Sequence, residues 1–60
     1  MISRVLVIDN DVAMSEILKA ILEPKAFEVF TAHEVKAGIA DVHRLQPDVI
    51  VLNQIGRAHV

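Results

Sequence analysis

The sequence predicts an α/β fold, a truncated, doubly wound parallel sheet built as strand, helix, strand, helix, strand, with the first strand in the middle. Three observations predict it. Two short, wholly apolar and largely β-branched runs, Val5-Leu-Val-Ile8 and Val49-Ile-Val-Leu52, have the pattern of strands buried on both faces. Two intervening stretches repeat their apolar residues every three or four positions, the period of a helix lying on a sheet. The composition agrees: 53% of the 60 residues are hydrophobic while Trp and Tyr are absent, so Val, Ile and Leu supply most of the apolar surface.

The first strand, β1, is expected from about Arg4 to Ile8, ended by the polar run Asp9-Asn10-Asp11. From Met14, the residues Met14, Ile17, Leu18, Ile21 and Leu22 fall on one face of a helix, α1. Asp11 is a natural N-cap for it, because its carboxylate accepts from the unpaired N–H groups of the first turn. Pro24 closes α1, since the residue before a proline is pushed out of the α region. Phe27–Ala32 (FEVFTA) is rich in β-favouring residues and reads as β2. Val35, Ile39, Val42 and Leu45 then mark α2, which runs to about Gln46 and contains Gly38 at a cost of about 1 kcal/mol relative to alanine. Pro47 ends α2, and Val49–Leu52 supplies β3.

Parallel strands joined through helices cross over right-handed, and a buried parallel sheet needs helices on both faces. Placing β1 between β2 and β3 sends the two crossovers in opposite directions and satisfies both rules. The strand order is then 2-1-3. In such sheets ligands bind at the carboxyl ends of the strands where the order reverses, here between β1 and β3. Asp9, Asn10 and Asn53 stand at those tips.

Bulk properties narrow the function by exclusion. The formal charge of −2 is mild with both signs interspersed, so nothing suggests a nucleic-acid footprint or a basic membrane-surface helix. The longest apolar run is four residues and no signal-like N-terminus precedes it, so a cytoplasmic chain without a membrane span is expected. Cysteine is absent, which removes disulfides and thiolate metal sites. The only glycines are Gly38 and Gly56, so there is no glycine-rich phosphate loop of the dinucleotide-binding kind. His33 and His43 have no partners at metal-ligand spacing and read as solvated surface residues.

VLVIDND, an amphipathic helix, and then FEVFTAHEVKAGIADVHRLQPDVIVLN together resemble the first half of a response-regulator receiver domain, a flavodoxin-like fold of the CheY-like group. The resemblance runs from Ser3 to Asn53. In that family β1 ends in a pair of acids, β2 ends near Thr-Ala, and β3 reads Pro-Asp, apolar residues and an aspartate. The resemblance implies a receiver of a two-component phosphorelay: the parent protein accepts a phosphoryl group from a histidine kinase or phosphotransfer protein onto the β3 aspartate, with Mg²⁺ held by that residue and the acidic pair. A carboxylate attacking a phosphoryl group needs such a cation to offset charge repulsion, and carboxylate oxygens are the hard ligands Mg²⁺ prefers. The receiver is a substrate for its kinase and not itself an enzyme.

Carried over by position, Asp9 matches the first acid, Asn10 the second and Asn53 the phosphoacceptor. Two of the three are amides. Asparagine keeps the shape but lacks the charge, and its amide oxygen is a poor nucleophile. The expectation is a degenerate pocket with weak or absent Mg²⁺ binding and no ordinary acyl phosphate. Asp11 is read as a helix cap, and Asp9 as a pocket residue.

The final residues break the pattern. IGRAHV matches the translation of a common short-read sequencing adapter (ATC GGA AGA GCA CAC GTC), and the two preceding adapter bases complete a Gln54 codon. Residues 1–53 are therefore expected to be a partial receiver domain and residues 54–60 a non-native tail, which removes Arg57 and His59 as site candidates. The receiver pattern's β4 hydroxyl and β5 lysine have no counterpart in the sequence, so this segment alone is expected to be inactive as a switch. A three-stranded sheet with one helix per face is also expected to leave apolar surface open. The alternative to a phosphorylated receiver is a pseudo-receiver, a phosphorylation-independent interaction module, favoured by Asn10. A doubly wound fold without a signalling role fits the strand endings less well.

Overall fold

The computed structural model describes residues 3–53; the expected tail, 54–60, lies outside the described residues. The elements are β1 (Ser3–Asp9), α1 (Val12–Leu22), a 3₁₀ turn (Glu23–Lys25), β2 (Phe27–Ala32), α2 (Val35–Leu45) and β3 (Val49–Asn53). The three strands form one parallel sheet in the order β2-β1-β3. No helix among the described residues is long and apolar enough to cross a membrane.

Alternation along β1 divides the core into two halves. Val5 and Val7 join Val29 on one face, where Leu18 and Leu22 of α1 pack with Phe27 and Val51. Leu6 and Ile8 join Ala32 on the other, packed by Phe30 and by Val42 of α2. The central strand is therefore enclosed from both sides, and Leu6 and Val7 have no exposed surface.

α1 starts where its cap predicts. Asp11 is extended, at φ −95° and ψ 104°, and its carboxylate accepts from Met14 N at 3.1 Å. Pro24 sits within the 3₁₀ turn that follows α1, and Ala26 then takes the left-handed conformation, φ 68°, to turn the chain into β2. α2 ends on Gln46 at φ 50°, whose N–H bonds the Val42 carbonyl. Asp48 pins the start of β3 to β1: its side chain accepts from Arg4 N and its own N–H donates to Arg4 O, both at 2.8 Å. The Arg4 guanidinium completes the corner by donating to the Leu45 carbonyl at 2.7 Å, a cationic donor at the negative end of α2.

Two details of packing differ from the pattern in the sequence. The α1 residues that reach the core are Leu18 and Leu22, with Ser15 fully buried beside them, whereas Met14, Ile17 and Ile21 face outward. The apolar stripe of α1 is wider than the strip of sheet beneath it, so its flank stays open. β3 is the least covered strand, with Leu52 66% exposed and Val49 and Ile50 about half exposed. Together with Val35 and Ile39 on α2, these residues leave apolar surface on both sides of the sheet, as a single helix per face predicts.

Candidate functional site

The register of the sheet decides what meets at its carboxyl edge. Val5 to Ile8 pair with Val49 to Leu52, and one step further Asp9 is the cross-strand partner of Asn53. By alternation both side chains lie on the α1 face of the sheet. The apolar run ends there and the polar turn Asn10-Asp11 leads into α1, so a carboxylate is carried into the notch between strand tip and helix start.

Asp9 is 1% exposed. A carboxylate so deeply buried is tolerated only when its oxygens are satisfied. Oδ1 accepts from the backbone N–H of Asp11 at 2.9 Å, and Oδ2 accepts from the side-chain amide of Asn53 at 2.7 Å. Asp11 thus serves twice, donating to Asp9 through its backbone while its carboxylate caps α1. Asn10 is exposed at the turn between them. The structure brings Asp9 and Asn53 into contact, and Asn10 follows Asp9 in the chain.

His33 also belongs to this end of the sheet. It was expected as a solvated surface residue; instead it is half-buried just beyond β2, with Nδ1 3.1 Å from the Asp9 carbonyl oxygen, to which a protonated Nδ1 donates. The topology brings the two together: β2 and β1 run side by side, so the residue after Ala32 comes level with Asp9, the residue after Ile8. Sequence spacing alone hides that proximity, since 24 residues separate the pair. His43 is exposed on α2, as expected.

The chemistry open to this cluster is narrow. Asp9 is its one carboxylate at the tips, with both oxygens engaged, and Asn53 turns its donor and not its carbonyl toward Asp9. The reverse amide orientation would set two acceptors against each other, so the donor-inward arrangement is the chemically consistent one. Mg²⁺ needs near-octahedral oxygen ligation supported by one or two carboxylates. This donor set does not fit it as arranged, because its one carboxylate has both oxygens engaged by N–H donors and Asn53 presents a nitrogen rather than an oxygen. Among the described residues no three His, Asp or Glu side chains come together in a metal-binding group, and no pocket opens at the strand tips. Comparison of the chain with protein-family models, with curated proteins and with solved structures gave no match.

Proposed function

We propose that this chain is the β1-to-β3 portion of a receiver domain from a two-component response regulator, in a cytoplasmic parent protein that takes a phosphoryl group from a histidine kinase, while this segment, with the amide of Asn53 in the phosphoacceptor position, is itself inactive. The observation that carries the reading is the pairing of Asp9 with Asn53 at the reversal of strand order, since it joins the phosphoacceptor position to one of the acid positions with which the receiver pattern has it hold a cation. The capped start of α1 directly after the β1 tip supports the same reading.

A second reading is favoured by one specific observation. Asn53 donates to Asp9 where a phosphorylated receiver presents a second carboxylate, which suits a pseudo-receiver that engages a protein partner without phosphorylation. The two readings separate in one experiment. The protein carrying this segment is incubated with a small-molecule phosphodonor and Mg²⁺ and weighed by mass spectrometry. A phosphoryl adduct mapped to residue 53 removes the pseudo-receiver. An unmodified native protein, beside an Asn53→Asp variant that does acquire the adduct, supports it. Failure of both to react, in a protein whose parent gene encodes no β4 hydroxyl and β5 lysine, removes the phosphorelay reading.

A further inference from the structure

We propose that the Asn53 carboxamide takes the place of a bound cation at the strand tips, so that Asp9, Asn53 and the Asp11 N–H form a metal-independent clasp joining β1, β3 and the start of α1. A buried carboxylate can be stabilised by a cation or by N–H donors aimed at its oxygens, and here donors occupy both. The 2.7 Å bond from Asn53 Nδ2 to Asp9 Oδ2 is short, as a bond to an anionic acceptor should be. It also lies at the last step of the β1–β3 ladder, where Asp9 and Asn53 are cross-strand partners, and therefore closes the pairing at its open end.

The geometry sets cation binding and the clasp in opposition. For a cation to bridge these two residues, Asn53 must break its bond to Asp9 and turn its amide by half a turn to offer Oδ1. The Asp11 N–H on the other oxygen reinforces the opposition, because the same residue caps α1 through its carboxylate at Met14 N and is held in place by that contact. Asparagine at position 53 therefore keeps the strand tips joined with no metal present. Aspartate there would set two carboxylates face to face and make the junction depend on a cation. The choice of Mg²⁺ as the cation rests on the receiver reading, whereas the clasp itself rests on the hydrogen bonds alone.

The test uses the full 60-residue chain and two variants, Asn53→Asp and Asn53→Ala, each in EDTA and in millimolar Mg²⁺. The readouts are the Asn53 side-chain NH₂ resonances, assigned by their loss in Asn53→Ala, and hydrogen exchange at the Asp11 amide. In the native chain both are expected to be the same with and without Mg²⁺. In Asn53→Asp the Asp11 amide is expected to exchange about tenfold faster in EDTA, the scale of one charge-assisted hydrogen bond, and to recover in Mg²⁺. Asn53→Ala should lose the same protection with no recovery. A saturable Mg²⁺-dependent shift of the native Asn53 NH₂ signals overturns the clasp, as does native protection of Asn53→Asp in EDTA. The native titration stands even if neither variant folds. None of these readouts involves phosphoryl transfer, so they stay informative if the receiver reading fails.

Discussion

Replacing Gly38 with alanine sets two effects of opposite sign against each other, and the structure says which prevails. On an exposed helix the substitution stabilises by about 1 kcal/mol, because alanine restricts the unfolded chain and favours the helix. Gly38 is instead buried on the inner side of α2, and a Cβ there would lie 2.5 Å from Ile8 Cδ1, 2.9 Å from Cγ1 and 3.2 Å from Cγ2. The methyl end of Ile8 alone could swing away, but contacts at all three carbons require the whole side chain to move. Ile8 is buried in the cluster with Leu6 and Ala32, where room for that movement is small. Overpacking of this kind costs about 1–3 kcal/mol, so the net change is a loss of about 0–2 kcal/mol after the helix gain. For a domain of this size each kcal/mol moves the melting midpoint by roughly 4–8 °C. Thermal unfolding followed by circular dichroism should show Gly38→Ala melting below the native chain. In an Ile8→Val background, which deletes Cδ1, the alanine penalty should shrink by about 1 kcal/mol, a coupling typical of residues in contact. A Gly38→Ala chain that melts several degrees higher than native would refute the packing argument and leave only helix propensity.

Four further outcomes follow from the same contacts. Asp11→Ala removes the cap on Met14 N and should lower stability by about 0.5–2 kcal/mol in urea titration, while Asp11→Asn retains most of it. Ala26→Gly relieves a left-handed alanine and should raise the unfolding free energy in urea titration by up to about 1 kcal/mol, since glycine carries no Cβ penalty at φ 68°. Arg4→Gln should cost about 1.5 kcal/mol or more by removing the cationic donor to the Leu45 carbonyl, whereas Glu28→Gln, whose ion pair with Arg4 at 3.4 Å is half exposed, should change stability by less than about 1 kcal/mol. Leu52→Lys places a charge on the uncovered strand β3 and should leave the circular dichroism spectrum unchanged while reducing self-association in sedimentation velocity.

The parts of this structure that sequence made legible are those in which a residue's own chemistry determines its place. The apolar runs locate β1 and β3, Asp11 declares itself as a cap, and the rule for reversed strand order brings Asp9 to Asn53 before any coordinates. What stayed hidden depends on surroundings. The turns at Ala26 and Gln46 are left-handed at residues that carry no signal for it, where glycine or asparagine would have announced the conformation. The α1 periodicity predicts a single apolar face but not which half of it meets the sheet, and so Ser15 is enclosed while Ile17 and Ile21 are not. The junction of Arg4 with Asp48 and Leu45, and the approach of His33 to Asp9, join residues far apart in sequence through side-by-side strands. Gly38 looked like a local cost to α2, yet its missing Cβ is what lets Ile8 fit against the helix.

The position of β1 bears on how the chain reaches this state during synthesis. Of the three described strands the one translated first, β1, has neighbours on both flanks, and these partners are made later: Ser3 waits for Phe27, and Val5 waits for Val49. Each pairing must close a long loop before any contact compensates for the lost freedom, which slows folding of parallel sheets. As the nascent chain leaves the ribosome, Val5 to Ile8 therefore emerge ahead of the elements that cover them, and these four residues are shielded from chaperones and neighbouring chains only in stages, as α1, β2, α2 and finally β3 follow.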